Sequence, residues 1–110
     1  MLNQGDVLLI PIPFSDLSSV KKRPVLVLSN EKYNKVTEDI IVVAITSNVG
    51  TKFSEVKLSN DDIIDGEFKV ESSIRVDKIY TISQNIAIKK LATIKPDKVI
   101  EVRNKLMELI

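Results

Sequence analysis

Ile40-Ile41-Val42-Val43-Ala44-Ile45 is the most apolar run in the chain, and it constrains the fold more than any other stretch. Branched side chains over so short a run suit a buried strand, and the run falls far below the roughly 18 residues that cross a membrane. It is expected to be the central strand. It ends in Thr46-Ser47-Asn48, three small side chains able to form hydrogen bonds. A second apolar run, Val25 to Leu28, follows directly on Lys21-Lys22-Arg23-Pro24 and suits a strand buried on both faces. Cations at the mouth of such a strand are held by a rigid element yet face solvent. They either keep the strand end soluble or present charge to a ligand.

The rest of the chain reads mostly as short strands. Asp6 to Ile10 forms one, and Pro11 and Pro13 should end it because neither has an N–H for the ladder. Residues 13–20 are rich in turn formers, and 30–35 make a turn or a short helix. Phe53 to Leu58 alternates as a strand, and Asp65-Gly66 marks a turn. A longer strand runs from Phe68 to about Ile74 and on to Asp77, with Ile74 and Val76 on one face and Arg75 and Asp77 on the other. Tyr80 to Ile82 and Ile86 to Ile88 are further short strands. Pro96 and Asp97 suit the first turn of a helix whose stripe is Val99, Val102, Leu106 and Leu109. Ile100, Met107 and Ile110 widen that stripe, as core or as a dimer contact. The sum is one domain over residues 1–110, mainly β, a compact antiparallel β-barrel with a C-terminal α-helix.

Composition narrows the chemistry. The 110 residues include no cysteine and no histidine, so thiol catalysis, disulfides, the usual general base and the commonest metal ligand all drop out. Carboxylates, lysine, arginine, hydroxyls and backbone groups remain. The net charge is only +1, but residues 21–35 carry five cations against one anion, and 78–110 carry seven against three. Residues 51–77 carry four cations against seven anions. Separate basic patches on a near-neutral chain suit local contact with a polyanion, without requiring it. Met1 to Asp6 does not read as a signal peptide, and a cytoplasmic protein with no membrane partner is expected.

Four segments together resemble the MazF/PemK family of toxin–antitoxin toxins, which are small endoribonucleases. They are Gly5-Asp6-Val7-Leu8-Leu9-Ile10, Lys22-Arg23-Pro24-Val25-Leu26-Val27-Leu28-Ser29-Asn30, Val43-Ala44-Ile45-Thr46-Ser47 and Ser73 to Ile82. Their order and spacing span nearly the whole chain. The resemblance implies an SH3-like antiparallel β-barrel with a C-terminal helix and a homodimer with single-stranded RNA along its groove. It also implies a neutralising antitoxin. One departure stands out. The first loop is short and lacks the longer glycine-containing, charged segment of many members, which bears on the recognition sequence.

The resemblance places the catalytic pair on Arg23 and Thr46. RNA carries its own nucleophile, the 2′-hydroxyl, so an enzyme must align it, stabilise charge on the phosphate and manage two protons. A planar guanidinium grips non-bridging oxygens with two hydrogen bonds, and a threonine hydroxyl both donates and accepts. No cofactor or metal is called for, and the expected ends are a 2′,3′-cyclic phosphate and a 5′-hydroxyl. Lys21 and Lys22 either contact flanking phosphates or are solvated. Phe14, in the first loop with Ser15, either stacks on a base or plugs the barrel. Ser47 either assists Thr46 or satisfies turn amides. Asp77 and Lys78 either contact bases or are structural, and Arg75 is assigned a cross-strand pairing role. The rival is a non-catalytic binding module on the same barrel, gyrase-poison-like or an inactive toxin. The gyrase poisons depend on a C-terminal aromatic, typically a tryptophan, whereas this chain has no tryptophan and ends Leu106-Met107-Glu108-Leu109-Ile110.

Overall fold

The computed structural model describes residues 2–13, 20–50, 53–67 and 71–110, with only the backbone described for Ile12, Pro13 and Val20. The strands are β1 (Asp6–Pro13), β2 (Val20–Val27), β3 (Asp39–Thr46), β4 (Glu55–Leu58), β5 (Ile63–Gly66), β6 (Ser72–Ser83) and β7 (Lys89–Ile94). Helix α1 (Glu31–Val36) follows β2, and α2 (Pro96–Leu109) closes the chain. The seven strands make one antiparallel sheet in the order β4-β6-β3-β2-β1-β7-β5, curled as a half-barrel with α2 packed on it. This is the expected mainly-β barrel class with its C-terminal helix.

The sheet is buried on both faces near its middle because β1, β2 and β3 alternate apolar residues into two clusters. Val7, Leu26, Val43 and Ile45 join Ile74, Val56 and Ile94 in one, which α2 covers with Val102, Val99 and Leu106. Leu8, Ile10, Val25, Val27, Ile40 and Val42 make the other, against Leu2, Ile82 and Ala87. The run at Ile40 is therefore an inner strand, flanked by β2 and β6, although β2 is the middle one of the seven. Of the helix stripe, Val102 is fully buried and Val99 and Leu106 half-buried, while Ile100, Met107, Leu109 and Ile110 face solvent.

Several boundaries differ from the sequence expectation, each for a physical reason. Pro11 and Pro13 do not end β1, which pairs with β2 as far as Pro13↔Val20. Leu9 accepts from the Ile88 N–H, so odd-numbered backbone groups of β1 point away from β2. The pairing with β7 stops at Leu9, and among the described residues no strand pairs with the prolines on that side, so no donor is required there. Asp65-Gly66 is not a turn but the end of β5. A Cβ on Gly66 would lie 2.4 Å from the Leu91 carbonyl oxygen, so the glycine serves close strand approach. Ile86 to Ile88 is not a strand: Gln84–Ile86 forms a 3-10 turn, and the strand follows at Lys89. Tyr80 to Ile82 belongs to β6, one strand of 12 residues beginning at Ser72, and Phe68 lies outside the described residues.

Two local features shape the region around Arg23. Leu28 donates to the Ile41 carbonyl, so even-numbered backbone groups of β2 face β3. Pro24 has no N–H to offer there, and the β2–β3 ladder begins at Val25↔Ala44. In β6 the register against β3 jumps: Val43 pairs with Ile79, but Ala44 pairs with Arg75. Residues 76–78 are the excess, a bulge that bends β6 around the end of β3.

Gly5 anchors the start of β1 between its neighbours. Its N–H donates to the Val27 carbonyl at 2.9 Å and its carbonyl accepts from the Ile94 N–H at 3.0 Å, at φ +94°. That left-handed backbone is cheap only for glycine. Gly5→Ala is expected to lower unfolding free energy by about 1–2 kcal/mol, read from urea denaturation.

Candidate active site

Arg23, Ala44, Ile45, Thr46, Arg75, Lys78 and Tyr80 line one open pocket of about 250 Å³. Arg23 comes from the outer part of β2, beyond the point where Pro24 ends the ladder with β3. Thr46 is the last residue of β3. Arg75 and Tyr80 come from either side of the register jump in β6, and Lys78 from within it. The two residues on which the resemblance places catalysis thus face one cavity, brought from separate strands. Three cations line it, with no carboxylate among the described lining residues.

Thr46 and Arg75 each have their own support. The Thr46 hydroxyl oxygen accepts from the Asn48 N–H at 3.1 Å, which fixes its rotamer and leaves its proton to donate. Thr46, not Ser47, therefore holds this turn amide; Ser47 is exposed beside it and does not line the pocket. Arg75 is held by Asp77 through two hydrogen bonds, Nε to Oδ1 and Nη2 to Oδ2, both 3.3 Å. Its Nε also lies 3.8 Å from Glu55 Oε1. The hydrogen bond from Arg75 pulls the Asp77 carboxyl below its ordinary value, with a smaller contribution from Ser54, and the same bond raises the Arg75 guanidinium. Asp77 thus serves as the clamp on Arg75. Lys78, its neighbour, lines the pocket.

The other candidates fall elsewhere. Lys21 and Lys22 are exposed on β2, opposite Ile12 and Pro11, and do not line this pocket. Strand alternation sets Lys21 on the face of Arg23 and Lys22 on the other. Phe14 and Ser15 lie outside the described residues. Tyr80 is a pocket residue that the sequence did not single out, while Arg75 makes the expected cross-strand pair, with Glu55, and lines the pocket as well. The alternation of Arg75 against Ile74 and Val76 was visible, but not the bulge that turns it toward Thr46.

The sequence pattern of the PemK-like, MazF-like toxins of type II toxin–antitoxin systems matches residues 3–110. The chain belongs to that family. Among solved structures it is similar to an endoribonuclease in complex with its cognate antitoxin from a mycobacterial species. The TM-score is 0.79 at 20% identity, over 98% of this chain and 93% of that one. It is also similar to MazE–MazF from Deinococcus radiodurans, with TM-score 0.73 at 27% identity over 98% of this chain and 93% of that one. For the toxin MazF-mt6 of Mycobacterium tuberculosis the TM-score is 0.70 at 18% identity, over 92% and 93% of the two chains.

The Asp77 carboxyl sets the sign of a pH effect. Its value is depressed below 3.8 in the folded chain, so its contribution is fully present above the unfolded value and lost as pH falls through the folded one. The pair is partly exposed and screened, so the contribution is small. The stability gap between wild type and Asp77→Asn is expected to be larger near about pH 6 than near about pH 2.5, measured by urea denaturation at both.

Proposed function

We propose that this toxin is an endoribonuclease that cleaves single-stranded RNA at particular sequences without a metal ion. The 2′-hydroxyl oxygen attacks the adjacent phosphorus and gives up its proton, the bond to the 5′-oxygen breaks, and that oxygen takes up a proton as it leaves. The products are a 2′,3′-cyclic phosphate and a 5′-hydroxyl. What carries this proposal is the pocket that gathers Arg23, Thr46, Arg75 and Lys78 from three strands.

Arg23 grips the non-bridging oxygens as negative charge grows on them, which is where a fixed cation lowers the barrier most. Its fork geometry also aligns the phosphate for in-line attack, a role that lysine cannot take over. Thr46, its oxygen already accepting from the Asn48 amide, donates a hydrogen bond to the phosphate. Arg75 and Lys78 add charge on the β6 side, and the Tyr80 ring offers a face for an unpaired base. RNA in single-stranded form fits because splayed bases expose such faces and the backbone can bend into an open pocket. Lys21, on the same face as Arg23, contacts a flanking phosphate. The protein acts in the cytoplasm as a homodimer and is silenced by a cognate antitoxin. Family membership and the MazE–MazF complexes of Deinococcus radiodurans support the antitoxin partner.

Arg23→Ala and Thr46→Ala are each expected to lower cleavage of single-stranded RNA by about a hundredfold or more while leaving circular dichroism unchanged. Wild-type activity should persist in EDTA. Cleavage that vanishes in EDTA, or survives Arg23→Ala undiminished, would sink the mechanism. Light scattering should give about twice the 12.3 kDa chain mass at micromolar concentration.

A further inference from the structure

Glu55 is a charged residue whose side chain is only 5% exposed, on a four-residue strand at the edge of the sheet. The register explains where it sits. Arg75 pairs with Ala44 on one side and with Glu55 on the other, so Ala44, Arg75 and Glu55 form one row across β3, β6 and β4. Directly paired residues share a face, which puts the Glu55 carboxylate beside the Arg75 guanidinium, 3.8 Å from Nε. The loop leaving Thr46 returns to the same carboxylate. A methyl built on Gly50 would lie 2.7 Å from Glu55 Oε2 and 3.3 Å from Oε1, so the Gly50 backbone rests against it.

A buried carboxylate is retained at a desolvation cost, and a buried ion pair is weak evidence for stability as such. What this one does is geometric. Asp77 and Glu55 both engage Arg75 on its Nε side, and Asp77 also takes Nη2. A guanidinium held there keeps Nη1 for a ligand, in a fixed plane, inside the pocket that Arg23 and Thr46 share. Asp77 clamps Arg75 from two residues away on the same strand and is 39% exposed, so it fixes the fork relative to β6 only. Glu55 reaches Arg75 from a different strand, and it touches the loop that begins at Thr46.

We infer that Glu55 is a positioning residue. It locks the Arg75 fork toward the scissile phosphate and, through Gly50, ties that fork to the loop bearing Thr46. This rests on the RNA-cleaving function proposed above. Arg75 then acts on the charge developing in the transition state, and Glu55 acts through Arg75.

The test is a double-mutant cycle on RNA cleavage, with kcat and KM measured separately. Glu55→Gln is expected to lower kcat about tenfold to a hundredfold while KM stays within about twofold. In an Arg75→Ala background the same substitution should change kcat by less than about twofold, because the residue it positions is gone. Glu55→Asp should restore part of the loss. Gly50→Ala, which displaces the carboxylate without removing it, should show the same dependence on Arg75, and it carries the test if Glu55→Gln does not fold. Wild-type kcat in both Glu55→Gln and Gly50→Ala, or an equal loss with and without Arg75, overturns the role of Glu55 while RNA cleavage by the wild type stands. A wild type that cuts no RNA overturns both.

Discussion

A missing hydrogen-bond donor decides where the pocket lies. Backbone groups at even positions of β2 face β3, and at Pro24 that group is a ring nitrogen with no proton. The ladder between the two strands starts only at Val25 and Ala44, so Arg23 and Thr46 sit beyond its end. A residue with an N–H at this position would let the ladder run on toward Thr46. The ladder joins the two strands through their apolar residues and stops where the polar ones begin, so Arg23 and Thr46 are left to line the pocket.

The charges around the pocket are arranged to avoid cancelling one another. Arg23, Arg75 and Lys78 line the cavity, whereas the carboxylates of Asp77 and Glu55 stand on the far side of the Arg75 guanidinium. Like charges gathered in one small volume repel, and each needs either solvent or a counter-charge. Lys78 is exposed and keeps its water, while Arg75 receives two carboxylates. The positive field at the mouth is retained because those carboxylates are spent on orientation rather than placed in the cavity. Such an arrangement favours an anionic ligand over a neutral one.

Much of this was legible in the residues. The apolar runs at Val25 and Ile40 announced inner strands, Pro96 and Asp97 announced the start of α2, and the alternation from Ile74 to Asp77 fixed which side chains of β6 point inward. Where the sequence misled, the cause was context. Pro11 and Pro13 are strand breakers only where a partner strand waits for their N–H, and β7 has already stopped there. Lys89 and Lys90 hide a strand because its burial lies in Ala92 and Ile94 at the other end. Asp65-Gly66 carries turn chemistry, but Gly66 is chosen for its closeness to Leu91. Tyr80 carries no mark in the sequence and Arg75 reads there only as a cross-strand partner, because their place in the pocket depends on three surplus residues in β6, and no local pattern marks a bulge of that size.

The register jump in β6 also orders events in time. Arg23 and Thr46 are synthesised early and are brought to one end of the sheet as soon as β2 and β3 pair around α1. Arg75, Lys78 and Tyr80 arrive only after β4 and β5 have been made, through pairings of high sequence separation that are slow to form. A chain still emerging from the ribosome therefore carries half a pocket. The cavity assembles once β6 has wrapped the end of β3, so the completed binding site is a property of the nearly finished polypeptide and is withheld from its earlier stages.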